Sequence, residues 1–233
     1  MASSAEDKLV RLWDAATGAV VGQEEHRATV LDLRFAPSGE LLATAGADET
    51  IGIWRVDTGR RVTLCEGHEA WVVSVAWSPQ GHLLASVSND ATLRIWDAVS
   101  AAEIQRRELG TKPHAVAWSP SGERLAVGLD DGQVSVLDPG NAASPPVEEL
   151  LYRADAAAVN CLEWSAEGRT LVTGGDKTVR ISDARTGHVI QSFAFDEGYA
   201  WRLSWAPGGA FVVVSLRGDV VRLWDTRGAL AAP

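Results

Sequence analysis

The stretch from His68 to Asp97, HEAWVVSVAWSPQGHLLASVSNDATLRIWD, comes back along nearly the whole chain, and this repetition limits the fold more than any other feature. Aligned on their closing pair, the copies end at Trp13-Asp14, Trp54-Arg55, Trp96-Asp97, Leu137-Asp138, Ser182-Asp183 and Trp224-Asp225. The first members of these pairs are 41, 42, 41, 45 and 42 residues apart. A unit of this length cannot bury its own apolar face, so successive copies must stack and share a core. No linker interrupts the series, and residues 1–233 read as a single domain.

Four strands can be placed within the copy. Val72 to Trp77 is an apolar run ended by Ser78-Pro79-Gln80-Gly81, with Pro and Gly where a tight reversal wants them. Leu83 to Ser88 follows, and Asn89-Asp90 turns the chain again. Thr92 to Trp96 sets Leu93 and Ile95 against Thr92, Arg94 and Trp96, a strand with two differently dressed faces. Glu103 to Leu109 is mostly charged and suits a solvent-facing edge. With these strands named a to d, residues 8 to 14 are a c strand and 19 to 25 a d strand. Four complete sets follow, with a strands at 30–35, 72–77, 114–118 and 159–164, and a last set at 201–205, 210–215 and 220–225 lacks its d strand. The total is 21 strands. Pro139 to Pro146 (PGNAASPP) accounts for the longest step and reads as an extended surface loop.

The period and the closing Trp-Asp resemble the WD40-repeat family, over almost the full length of the chain. The resemblance implies an all-β, WD40-type β-propeller of about five four-stranded blades plus an extra or partial blade. The strand count is one more than five blades of four and three short of six. Three arrangements stay open: five blades with a displaced N-terminal strand, an incomplete ring of six, or a piece of a longer propeller. The incomplete or fragmentary ring is favoured, because the sequence starts inside a repeat. The Ala-rich, regular repeats resemble bacterial members of the family.

The family pattern places His, Ser or Thr, Asp and Trp in each blade. His26, Thr44, Asp48 and Trp54 match it, and so do His68, Ser86, Asp90 and Trp96, with steps of 18, 4 and 6 residues in both. The resemblance implies a buried hydrogen-bond chain, which satisfies an indole N–H and an imidazole that would be costly to bury alone. A His, Ser and Asp together also suggest a catalytic triad. However, the set is duplicated, includes a Trp and buries its hydroxyl, whereas a nucleophile needs an exposed oxygen beside an oxyanion site. The residues are read as structural, and the chain as no enzyme. Other copies depart from the pattern: Leu109, Val127 and Leu137 leave only Asp131, Asp155 and Ser182 flank Thr173 and Asp176, and Gly218 precedes Trp224. At the N-terminus only Asp7 and Trp13 match.

The formal net charge is −10, from 31 acidic and 21 basic residues, and the basic residues are scattered. This balance argues against nucleic acid or an anionic membrane as partner. Cys65 and Cys161 fall in predicted strands of different repeats, as buried small residues do, and no disulfide framework is expected. His26, His68, His82, His114 and His188 stand at no metal-ligand spacing, and Asp130-Asp131 with Asp138 lacks the ligand density of a calcium loop. No Gly-rich loop opens a helix to cradle phosphate. No metal and no cofactor are expected. The N-terminus is not that of a signal peptide and no run reaches the length of a spanning helix, so a soluble cytoplasmic protein is expected.

The resemblance implies a protein-interaction scaffold that binds a protein or peptide on the face carrying the d–a and b–c loops. Residues expected there are Arg27, Thr29, Glu69, Trp71, Asn89, Lys112, His114, Asp130, Tyr199, Trp201 and Arg217. Trp71, Tyr199 and Trp201 are aromatics beyond the one that ends each a strand (Phe35, Trp77, Trp118, Trp164, Trp205), and aromatics with Arg are enriched at binding hot spots. Two alternatives stand beside this reading. One is a regulatory or sensor segment of a larger multidomain protein such as a kinase or NTPase. The other is a homo-oligomer built by sharing terminal strands.

Overall fold

The structure, a computed structural model, describes residues 1–4, 8–141, 144–196, 198–218 and 220–227. The described residues form 22 strands and no helix. Each sheet is a run of consecutive strands. Such meanders arise where every reversal is local, and the turn chemistry makes it so. In Ser78-Pro79-Gln80-Gly81 the Gly81 amide donates to Ser78 O, Leu83 N–H donates to Ser78 Oγ at 3.1 Å, and Gly81 takes a φ of +78° that only glycine adopts without strain.

The chain divides into two compact units, Met1–Pro113 with Asn141–Pro145, and His114–Gly140 with Pro146–Pro233. The first holds three sheets. Ala2–Ser4 (β1), Leu9–Trp13 (β2) and Val20–Glu25 (β3) form a sheet of three strands. Val30–Phe35 (β4), Leu41–Gly46 (β5), Ile51–Arg55 (β6) and Arg61–Cys65 (β7) form one of four, as do Val72–Trp77 (β8), Leu83–Ser88 (β9), Thr92–Asp97 (β10) and Glu103–Glu108 (β11). The second unit repeats the arrangement. Its four-stranded sheets are Pro113–Trp118 (β12), Leu125–Leu129 (β13), Gln133–Asp138 (β14), Val147–Arg153 (β15), and Cys161–Trp164 (β16), Thr170–Gly174 (β17), Thr178–Asp183 (β18), Val189–Ala194 (β19). Its last sheet has three strands, Ala200–Trp205 (β20), Phe211–Leu216 (β21) and Val220–Asp225 (β22).

Six sheets of three or four strands correct the expectation of five four-stranded blades plus an extra or partial one. The difference lies in β1, which pairs antiparallel with β2 from Ala2↔Leu12 to Ser4↔Val10. It gives the N-terminal c and d strands a sheet of their own. Ala2-Ser3-Ser4 is small and polar, with no alternation for a period-two reading to detect. The Asp7 match lies outside the described residues.

Cores form where neighbouring sheets face each other. Ile51, Ile53, Val72, Val75, Trp77 and Leu84 are buried together in the first unit, and Val172, Val179, Ile181, Val212 and Val214 in the second. Polar staples add direction to this packing. Asp32, on β4, accepts from Ser74 Oγ at 3.0 Å and from Val75 N–H at 3.2 Å on β8. Trp77 Nε1 donates to Arg34 O at 2.9 Å, and Trp164 Nε1 to Ala117 O at 3.2 Å. Both cysteines are buried and neither is in a disulfide, and burial pushes the Cys65 thiol up to about 12. In the 139–146 loop, of which 142–143 lie outside the described residues, Asn141 and Ser144 form a small bridge, and Gln105 Nε2 donates to Ser144 O at 3.0 Å.

Candidate functional site

Two groups of polar and aromatic residues stand out, one inside the sheets and one at their ends. Inside β8–β11, Trp96 Nε1 donates to Ser86 Oγ at 2.8 Å, Ser86 Oγ lies 2.8 Å from His68 Nε2, and His68 Nδ1 lies 2.8 Å from Asp90 Oδ2. Burial lowers the His68 pKa against the pull of Asp90, so the ring is neutral. Burial would raise Asp90, but hydrogen bonds from His68, Thr92 and the Glu69 amide outweigh it and hold the carboxyl down at about 2. An ionised Asp90 accepts a hydrogen bond from Nδ1–H, leaving Nε2 to accept from the Ser86 hydroxyl. Each group therefore donates to the next, from indole to carboxylate. Ser86 is wholly buried, and no substrate can meet its oxygen.

The set in β4–β7 is less complete. Trp54 Nε1 donates to Thr44 Oγ1 at 2.8 Å and Asp48 Oδ2 lies 2.7 Å from His26 Nδ1. Thr44 directs its hydroxyl to Gly52 O at 3.4 Å, and His26 Nε2 is left without a partner. Gly52 and Gly46 are needed here, because a Cβ on Gly52 would sit 2.8 Å from the Trp54 Nε1, and one on Gly46 closer still to His26 and Asp48.

Three further members of these networks escape the four-residue pattern. Ser3 Oγ accepts from Trp13 Nε1 at 2.8 Å, so β1 does for Trp13 what β5 and β9 do for Trp54 and Trp96. The hydroxyl stands ten residues before the Trp in all three, a spacing that would have found it. Arg94 is buried and donates to Glu103 at 2.7 Å, 3.6 Å from Asp90. In β16–β19, Asp155 occupies the His position and accepts from the Thr178 hydroxyl and from Ala156 N–H. Trp224 has no hydroxyl at the ten-residue spacing, where Val214 stands, and stacks on Phe193 with ring centres 5.5 Å apart.

The second group sits where d–a loops meet b–c turns. Asn89 N–H donates to Trp71 O at 2.9 Å, Arg217 N–H to Tyr199 O at 3.0 Å, and Ala47 N–H to Thr29 O at 2.9 Å. Each bond spans 18 residues, so the repeat itself holds the two loops together at one end of these three sheets. Trp71 is 54% exposed there, with Glu69 exposed beside it. In the second unit His114 Nε2 lies 2.8 Å from Asp130 Oδ1 at the surface. Tyr199 and Trp201 lie 5.8 Å apart by ring centre, and the Arg217 guanidinium stands 5.5 Å over the Tyr199 ring. Trp201 is 57% exposed. These three residues line an open groove of about 630 Å³ with Ser215, Leu216, Val220 and Val221. Arg27 and Lys112, also in d–a loops, are exposed. Among the described residues no three His, Cys, Asp or Glu side chains gather as a metal site would require, and no helix is long and apolar enough to cross a membrane.

The family model of the WD domain, G-beta repeat, matches residues 20–55, 59–97, 110–138 and 148–183, more than half of the chain. The chain belongs to the WD40-repeat family. The chain is also similar to two curated proteins of Arabidopsis thaliana. Protein CIA1 is 41% identical over 61 residues, 24% of this chain and 17% of that protein. Cell division cycle 20.1, cofactor of APC complex, is 36% identical over 70 residues, 29% of this chain and 15% of that protein. The matched stretches thus span less than a fifth of either relative. The six sheets are WD40 blades, and the two sheets of three strands fall at the ends of the series, one of them outside the four matched segments altogether.

Proposed function

We propose that this WD40 protein is a non-enzymatic scaffold that binds a protein or peptide through the ends of its sheets where d–a loops and b–c turns meet. The observation that carries this is the Tyr199, Trp201 and Arg217 cluster. An indole more than half exposed, beside a second aromatic ring and an arginine on the rim of a groove, is the composition of a binding hot spot. A folded chain gains nothing from leaving a Trp in water, whereas a partner that covers it gains its apolar area. Trp71, Glu69 and Asn89 form a smaller patch of the same kind on the first unit, and Asp130 with His114 adds a polar one on the second. That a relative is named a cofactor of the APC complex accords with work among other proteins. We place the protein in the cytoplasm and expect no nucleic acid as partner, in keeping with the net charge of −10.

The test is selection from a displayed library of random peptides on the immobilised chain. The expected result is a family of related peptides that loses about 2 kcal/mol or more of binding free energy on Trp201→Ala. Failure to enrich any sequence, or enriched peptides indifferent to Trp201→Ala and Trp71→Ala alike, would overturn the assignment.

A further inference from the structure

The loop that carries Trp71 is tied down more firmly than an exposed loop requires. Four consecutive residues of it are bonded to Ser88, Asn89 or Asp90, which end β9 and turn the chain towards β10. His68 Nδ1 lies 2.8 Å from Asp90 Oδ2, and the Glu69 N–H donates to the same oxygen at 3.1 Å. The Ala70 carbonyl accepts from Ser88 Oγ at 3.0 Å, and the Trp71 carbonyl from the Asn89 N–H at 2.9 Å. Ser88 Oγ also accepts from the Asp90 N–H at 3.1 Å, so one hydroxyl ties the loop to the turn and closes the turn on itself. Asp90 Oδ1 takes the Thr92 N–H and hydroxyl at 2.9 and 2.7 Å, which steadies the carboxylate that holds Glu69. Ser88 is wholly buried.

This serine lies outside the pattern of the repeat. It stands eight residues before the closing Trp96, and the corresponding residues of the other copies are Ala5, Gly46, Leu129, Gly174 and Leu216, none with a hydroxyl. The β4–β7 sheet shows what the repeat does without one. Asp48 pairs with His26 there, and the Ala47 N–H donates to Thr29 O. With Gly46 in the place of the serine, the loop still brings His26 and Val30 to buried positions. Packing the loop against its sheet therefore does not require the Ser88 bonds. What they add is a fixed backbone at Glu69, Ala70 and Trp71. Bonds that order a loop usually serve what the loop buries, but the side chains of Glu69 and Trp71 are exposed.

We propose that Ser88 is a positioning residue for a partner site at Trp71, fixing the Glu69–Trp71 backbone together with Asp90 so that a partner's side chain meets an indole already in place. Ordering a loop and its side chains during binding lowers affinity, and a loop ordered beforehand avoids that loss. The Tyr199 loop keeps the bond from the Arg217 N–H to Tyr199 O but has Leu216 where Ser88 stands, so the two aromatic sites are anchored differently and can be told apart by substitution. The inference rests on the sheet ends being partner sites, and it adds the buried residue that holds one of them ready.

The probes are peptides selected from a displayed random library on the 233-residue chain and sorted by whether Trp71→Ala or Trp201→Ala removes their binding. Dissociation constants of both classes are then measured by anisotropy for the native chain and for Ser88→Ala, with the thermal midpoint of the variant as a control. Ser88→Ala should weaken the Trp71-dependent peptides about threefold or more and leave the Trp201-dependent peptides unchanged. A general loss of stability would not separate the two classes. Ser88→Gly, which copies Gly46, should act in the same way and takes the place of Ser88→Ala if that variant does not fold. Native affinity of the Trp71-dependent peptides for both variants, equal weakening of the two classes, or the absence of any Trp71-dependent peptide would overturn the proposal. If Trp201-dependent peptides emerge without Trp71-dependent ones, only this inference fails. A library that yields neither class removes the sheet ends as partner sites.

Discussion

His68 and His26 are the same residue of the same repeat unit, yet they are differently paired. His68 is bonded at both ring nitrogens, to Asp90 and to Ser86, while His26 keeps its carboxylate contact but has an unpartnered Nε2. Removing His68 strands a buried hydroxyl and a buried carboxylate, so His68→Ala should destabilise by about 1–3 kcal/mol in denaturant titration, and His26→Ala by less. Burial lowers both histidine pKa values from 6.5. The unfolded chain therefore takes up protons near pH 6.5 that the folded chain refuses, and stability should fall as the pH drops below about 6.5. Asp90 acts in the same direction at lower pH: its carboxyl is held at about 2 against 3.8, so its contribution is intact above pH 3.8 and is lost as the pH falls towards 2. Denaturant midpoints at pH 7.5, 6 and 5 should decline for the native protein and decline less for His68→Ala. A midpoint independent of pH in this range would mean that the rings take up protons as readily in the folded chain as in the unfolded one. The 18, 4 and 6 steps marked these four side chains from sequence, because a fixed register puts fixed spacings in contact. Ser3 was not marked, because its strand has no apolar pattern, although it keeps the ten-residue interval to Trp13.

At the scale of the strand and turn, the second letter of the closing pair has a local task. Asp14, Asp97 and Asp183 each accept, through one oxygen, the N–H groups two and three residues on and the hydroxyl of Thr17, Ser100 or Thr186. Bonds to Thr17, Ser100 and Thr186 hold all three carboxyls below the usual carboxylate range. Each such turn ends on a left-handed residue, Gly18 at a φ of 72° and Gly187 at 72°, but in the third turn it is Ala101 at 58°. Ala101→Gly should raise stability by up to about 1 kcal/mol, because the left-handed strain exceeds the extra freedom glycine gives the unfolded chain. An unchanged or lower thermal midpoint would place the cost elsewhere. Between sheets, Asp32→Ala should lower stability by about 1–3 kcal/mol by removing the carboxylate that accepts from the Ser74 hydroxyl and the Val75 amide. Strand limits were legible where apolar alternation and Pro-Gly turns agree: the predicted 72–77, 83–88 and 220–225 coincide with β8, β9 and β22. The inter-sheet staple of Asp32 was not, because a charged residue within an a strand reads as exposed until its neighbour 42 residues on is placed against it.

For the molecule as a whole, repetition decides the architecture and says little about the ligand. The same unit that gives six sheets also makes their ends alike, and function must lie in what differs between the ends. The aromatics that differ, Trp71, Tyr199 and Trp201, were legible as surplus to the pattern, whereas the cation over Tyr199 and the groove beside it depend on side-chain placement that spacing does not encode. The acidic chain should leave duplex DNA unshifted at physiological salt, since scattered arginines cannot release counterions together. The most direct measurement is the affinity of a library-selected peptide for Trp201→Ala, with the thermal midpoint of the same variant. The account predicts affinity lowered about tenfold or more at an unchanged midpoint, because an indole in solvent holds no core together. Unchanged affinity would contradict it, as would a midpoint that falls with the affinity, for Trp201 would then belong to the fold and not to the site.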